Sequence, residues 1–215
     1  QANLGFAPDS SFPLTYAEKG LLQVKLHGSG WDDLPLQAGQ ALNVVPDKAT
    51  YAGHRLEELL PVLDQSGVQY SQTEDSVTVL GVSKHSKDAA EGVNAIVGLA
   101  ESLSLIQPHL ALLFIADAVG EDATGEALFG PISDEPSGDL SFNLATLVIN
   151  QEQSEIGIDI RIPVLADKDA LVARLQEIAA SYQLEYEEFD YLAPLYVPLD
   201  SPLVSSLMAV YQEET

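Results

Sequence analysis

Cysteine is absent from all 215 residues. That excludes a disulfide scaffold, a thiolate metal site and a cysteine nucleophile. Positive charge is nearly as scarce: nine lysines and arginines stand against 33 acids, for a net charge of −24. Nucleic acid and anionic membrane are therefore excluded as partners, because phosphate-rich surfaces need cations. No apolar run approaches the roughly 18 residues of a membrane span. The most apolar stretch, 110–119, is bounded by Pro108-His109 and Gly120-Glu121-Asp122 and reads as a buried helix. The chain does not open on basic residues followed by an apolar stretch, and it is expected to be cytoplasmic. Compact catalytic motifs are missing too. There is no Gly-x-Ser-x-Gly elbow, no His-Glu-x-x-His pair and no glycine-rich phosphate loop.

What is present is a core-forming pattern, with 46% hydrophobic residues. Leu22, Val24 and Leu26 alternate through 20–28 as a half-buried strand, and 41–46 is a short extended run stopped by Pro46. Residues 55–63 read as a helix interrupted near Pro61, and 68–70 with 77–82 as a hairpin around Gln72-Thr-Glu-Asp75. Helical spacing of Ala90, Val93, Ile96, Val97 and Ala100 predicts one helix over 87–105, capped by Ser86 or Asp88. Residues 120–138 are rich in Gly, Pro, Asp and Glu and read as loop. Strands follow over 140–150 and 156–162, then a helix over 167–182 capped by Asp167, a strand over 184–189, and a last helix opened by Ser201-Pro202. The expected fold class is α+β: two small ferredoxin-like units in series, with antiparallel sheets and helices packed on one face. The units are drawn at 19–75 and 76–195. Loop-like residues 1–18 and the apolar face of the last helix suggest that both ends continue into something larger.

Four histidines are available. His27, His54 and His109 sit in ordinary strand-end or helix-start contexts, whereas His85 lies between lysines at a strand-to-helix junction. Lys84, His85 and Lys87 form a local cation cluster in an acidic chain. Arg161 shares a strand face with Asp159; it either pairs with that acid or clamps a substrate carboxylate. Asn43 and Asn143 are amides in apolar extended runs. The acid pairs Glu57-Glu58, Glu187-Glu188 and Glu213-Glu214 read as solvated faces, and Asp9 by itself as a turn former.

Several segments together resemble one family. They are Gly5-Phe-Ala-Pro-Asp-Ser-Ser-Phe-Pro13, Glu18-Lys-Gly20, Asn43-Val-Val-Pro-Asp-Lys-Ala49, Gly81-Val-Ser-Lys-His85, Glu91-Gly-Val-Asn-Ala95, Gly138-Asp-Leu-Ser-Phe-Asn143, Ile158-Asp-Ile-Arg-Ile-Pro163 and Tyr196-Val-Pro-Leu-Asp-Ser-Pro-Leu-Val204. In this order they resemble the bacterial Xaa-His dipeptidases (dipeptidase V, carnosinase-like), co-catalytic zinc metallopeptidases related to aminoacylase and succinyl-diaminopimelate desuccinylase. The resemblance implies a lid domain over about 19–195, with 1–18 a remnant of a catalytic domain and 196–215 the start of its returning segment. It implies that Asp9 is a zinc ligand, that His85 stabilises the oxyanion, that Arg161 holds the substrate's C-terminal carboxylate, and that Asn43 contacts the same reaction centre, with Asn143 the alternative.

The partners implied are a dipeptide substrate and the lid's own catalytic domain, and the cofactor is two zinc ions in the full-length enzyme. The other ligands expected for those ions have no counterpart here. The chain alone is therefore expected to bind no zinc and to be inactive. The competing readings are the lid of an N-acyl-amino-acid amidohydrolase or tripeptidase, and a stand-alone binding module.

Overall fold

The computed structural model describes residues 5–7, 12–32 and 35–214. Asp9 lies outside these residues. Five strands form the larger sheet: β2 (Gly20–Ser29), β3 (Leu36–Ala38), β9 (Ser141–Ile149), β10 (Gln153–Ile162) and β11 (Glu185–Leu192), in the order β11-β2-β10-β9-β3. Three more form the smaller sheet: β4 (Lys48–Tyr51), β5 (Tyr70–Gln72) and β6 (Val77–Leu80), in the order β4-β6-β5. Every pairing is antiparallel. Two-residue pairs complete the strands: β1 (Ala17–Glu18) with β12 (Leu195–Tyr196), and β7 (Ser133–Asp134) with β8 (Gly138–Asp139).

The helices are α1 (Leu56–Ser66), α2 (Ala95–Ser104), α3 (Leu110–Leu113) running on into a π turn at Phe114–Val119, α4 (Glu126–Phe129), α5 (Lys168–Ser181) and α6 (Pro202–Glu214). The α+β class is as read from the sequence, but the arrangement in series is not. β2 lies between β10 and β11, so the larger sheet is built from both sides of the boundary drawn at residue 75. The smaller sheet is nested inside it along the chain. In the larger sheet, β2, α2, β9, β10, α5 and β11 follow a β-α-β-β-α-β course. The smaller sheet repeats that course through β4, α1, β5, β6 and α2 without a fourth strand.

α2 explains the nesting. Ile96, Val97, Leu99, Ala100 and Leu103 are all buried, so this helix is apolar nearly all round. It packs on β4 and β6 on one side and on β9 on the other, joining both sheets in one core. Beneath it, Leu22, Val24 and Leu26 stand opposite Ile160, Ile158 and Ile156. Each such branched side chain contributes about 1.5–3 kcal/mol on burial. α5 buries one stripe of Leu171, Leu175 and Ala179, and Asp167 caps it by accepting from the Asp169 and Ala170 amides, as expected.

Four local expectations are corrected. The helix expected over 87–105 is two pieces, a 3-10 turn at Ser86–Glu91 and then α2. Gly92 is extended, and Val82 and Val93 exchange backbone hydrogen bonds of 2.9 and 3.0 Å, so the chain is pulled into a strand-like pairing between the two. Ala90 and Val93 are consequently exposed. The 41–46 run is not a strand; it makes one bridge at Val44, and the strand begins at Lys48. α1 runs through Pro61, whose exposed ring faces solvent, and stops at Gly67 in the left-handed region. The 120–138 segment holds α4 and the β7–β8 pair.

Candidate functional site

The site starts where the small sheet runs out. Past Leu80 the chain continues alongside residues 43–47, with Gly81 N–H on the Asp47 carbonyl and Val45 N–H on the Lys84 carbonyl, both at 2.8 Å. A Cβ at Gly81 would stand 2.1 Å from the Val93 carbonyl oxygen, so only glycine lets these segments approach so closely. The pairing ends with Val44 opposite His85 and with the Ser86 amide donating to the Asn43 carbonyl at 3.0 Å. Asn43 and His85 are thereby neighbours at one exposed edge.

His85, rather than Ser86 or Asp88, caps the following turn. Its Nδ1 accepts from the Lys87 amide at 3.2 Å. An acceptor Nδ1 in a neutral imidazole leaves the proton on Nε2, so the exposed ring nitrogen is a donor. The expected cation cluster is internally neutralised: Lys84 Nζ lies 3.0 Å from Glu91 and Lys87 Nζ 3.8 Å from Asp88.

Arg161 comes from the other sheet. Its Nε and Nη2 donate to Asp159 at 2.7 and 3.1 Å, and Nη2 also donates to the Ser86 hydroxyl at 3.1 Å. Asp159 is fully buried and accepts as well from Gln23 at 2.9 Å. The Nε–Nη2 edge is thus committed to Asp159, and Nη1 is the part of the guanidinium left to meet a ligand. Both alternatives drawn for Arg161 therefore bear on one side chain. It is an ion-paired arginine, and its Nη2 also reaches the edge that carries Ser86.

Ser86 ties the parts together and was read from the sequence only as a possible helix cap. It has no exposed surface. Its N–H reaches Asn43, its hydroxyl accepts from Arg161, and its carbonyl accepts from the Ser141 hydroxyl. Asn143 supports the same edge from below. Its buried amide donates to the carbonyls of Leu42 and Val44, each at 3.0 Å. Those two carbonyls fix the amide's orientation, and Oδ1 has no hydrogen-bond partner among the described residues. Beside it lies a cavity of about 160 Å³ lined by Val45, Val97, Phe142, Asn143 and residues of the 119–123 turn. Asn94 closes the adjoining stretch, capping α2 and donating to the Leu144 carbonyl at 2.6 Å.

The remaining candidates have other occupations. His27 contacts Glu187 at 2.7 Å on the sheet surface. His109 caps α3 and contacts the Ser29 carbonyl at 3.1 Å, and burial pushes its pKa down. Lys19 donates to the Asp139 carbonyl; burial lowers its pKa, against the pull of Asp139, Asp134 and Asp88. Among the described residues no group of three or more His, Cys, Asp or Glu could hold a metal ion, and no helix is long and apolar enough to cross a membrane. The described residues therefore do not by themselves compose a zinc site.

No family model matches the chain. It is 31% identical over 232 residues to putative dipeptidase YtjP of Bacillus subtilis, covering 97% of this chain and 50% of that protein. It is 28% identical over 237 residues to putative dipeptidase SAB1611c of Staphylococcus aureus, covering 99% of this chain and 50% of the relative. The chain thus spans about half the length of the curated relatives it matches. An aminoacylhistidine dipeptidase from Vibrio alginolyticus superimposes with a TM-score of 0.46 at 11% identity, covering 92% of this chain and 49% of that one. The resemblance read from the sequence holds along nearly the whole chain: it is similar to half of proteins named as dipeptidases.

Proposed function

We propose that this chain is the substrate-capping lid of a zinc-dependent dipeptidase that hydrolyses short peptides with a free C-terminal carboxylate. The observation that carries the reading is convergence. Asn43, His85 and Arg161 are separated by up to 118 positions, yet all three meet Ser86 or its immediate neighbours. In this reading the exposed His85 ring and the exposed Asn43 amide, carried on the paired segments 43–47 and 81–86, each supply a donor to an oxygen that becomes negative during acyl transfer. Fixed donors of this kind are worth about 10²–10³ in rate. Arg161 Nη1 offers a cation to the peptide carboxylate and orients the substrate end-on, since the bidentate edge is taken by Asp159.

Metal chemistry in this reading belongs to residues outside those described. The zinc ions would activate the attacking water, and Asp9 stands as a proposed ligand. By itself the chain is expected not to hydrolyse dipeptides.

The test is hydrolysis by the full-length protein that contains this segment, given an Xaa-His dipeptide such as carnosine, an N-acyl amino acid and a tripeptide, with zinc added. Preferential cleavage of the dipeptide supports the reading. Cleavage of only the N-acyl substrate or the tripeptide transfers the lid to a related amidohydrolase or tripeptidase. Turnover unaffected by His85→Ala sinks the oxyanion role.

A further inference from the structure

Resting on the dipeptidase reading above, we infer that Ser86 is a positioning residue that locks the His85–Asn43 edge to Arg161. It never touches substrate in this arrangement, because it is wholly buried. Each of its polar groups is engaged by a different part of the molecule. The backbone N–H holds Asn43, from the loop before β4, at 3.0 Å. The hydroxyl receives the second Nη2 hydrogen of Arg161, from β10, at 3.1 Å. The carbonyl receives the Ser141 hydroxyl, from β9. A single residue thereby ties the exposed edge that extends the smaller sheet to the face of the larger sheet, one position after the imidazole it serves.

The geometry separates its contributions. Asp159 alone fixes the guanidinium along the Nε–Nη2 edge, which leaves rotation about that ion pair's axis to be restrained. The Ser86 hydroxyl supplies that third point, and so determines where Nη1 stands relative to His85 Nε2. The hydroxyl is needed because a hydrogen bond to a charged donor is stronger than a neutral one, and its loss leaves a buried guanidinium hydrogen unpaired. The Asn43 link runs through backbone and survives any side-chain change at Ser86 other than proline. Replacing the hydroxyl therefore displaces Arg161 selectively and leaves the oxyanion donors in place.

Two measurements test this. In the full-length protein, Ser86→Ala should raise KM for a dipeptide about tenfold while kcat falls less than about threefold. Ser141→Ala, which frees only the Ser86 carbonyl, should give a smaller shift of the same kind. A merely structural serine would lower thermal stability and leave KM unmoved, and that result overturns the inference. In the 215-residue chain alone, the Arg161 Nε–H resonance in an amide-correlated NMR spectrum should move on Ser86→Ala while the His85 ring resonances stay in place. An unmoved Arg161 signal overturns the inference even if the enzyme is active. If the wild-type full-length protein cleaves no dipeptide, the functional reading fails, and the NMR result alone decides whether Ser86 positions Arg161.

Discussion

The site has two layers that differ in exposure and bonding although His85 and Ser86, and Arg161 and Asp159, lie one and two residues apart. The outer layer is Asn43, His85 and Arg161 Nη1, which has no hydrogen-bond partner among the described residues. The inner layer is Ser86, Asn143 and Asp159, all at most 1% exposed. Asn43 and His85 are exposed and donate no side-chain hydrogen bond among the described residues, whereas the inner groups hold Arg161, Gln23 and backbone carbonyls. The contrast shows how exposed polar groups can be anchored from a buried layer. Reactive donors need to be unsatisfied, which a core cannot tolerate. Successive side chains turn apart, so the exposed His85 ring sits one position before the buried Ser86.

If the layers are truly distinct, substitution should separate stability from function, and the largest stability effect belongs to Asp159. Asp159→Ala strands the half-buried Arg161 charge and should cost about 3 kcal/mol in urea unfolding of the isolated chain. A loss below about 1 kcal/mol would mean that the inner layer is not an anchor. Asn143→Ala releases the Leu42 and Val44 carbonyls and should cost about 2 kcal/mol by the same measurement. In the outer layer, His85→Ala should leave unfolding free energy within about 0.5 kcal/mol of wild type. It should nonetheless lower turnover by the full-length protein about a hundredfold or more. A destabilised His85→Ala chain would blur the two layers.

The smallest effect is a pH dependence away from the site, which provides a control. Burial lowers the His109 pKa below the ordinary 6.5, against the opposing hydrogen bond to Ser29. The folded protein thus resists a proton that the unfolded chain accepts. This contribution is complete above the unfolded imidazole value and is lost as the pH falls from there to the folded one. His109→Asn keeps a side-chain acceptor for the Ala111 amide. It should flatten the decline in stability between about pH 7 and pH 5, read from urea unfolding across that range. An unchanged slope would assign the decline to other groups.

Much of the site was legible before any coordinates, but unevenly. His85 stood out because it interrupts a strand-to-helix transition with local cations, and Asp159 with Arg161 because alternation puts both on one strand face. Ser86 carried no such mark. A serine after a histidine at a presumed helix start reads as a cap, and the competing cap was the histidine itself, through Nδ1. Ser141 and Gln23 were equally silent, being ordinary polar positions in amphipathic strands. The expected helix over 87–105 failed for a related reason. The stripe from Ala90 to Ala100 has helical spacing, but the backbone of Val93 gains more from pairing with Val82 across the fold than from continuing a local turn.

The sequence by itself determined the α+β class, most of the strands and helices, the absence of cysteine, and which residue types could act. These follow from local periodicity and composition, which act over a turn of helix or a few strand residues. Only the tertiary structure decided that the two sheets are nested, that β2 inserts between β10 and β11, and that Asn43, His85 and Arg161 share one anchor. Strand order and hydrogen bonds between residues 75 and 120 positions apart have no local signature. They are selected by burial of the common core around α2, to which both sheets contribute.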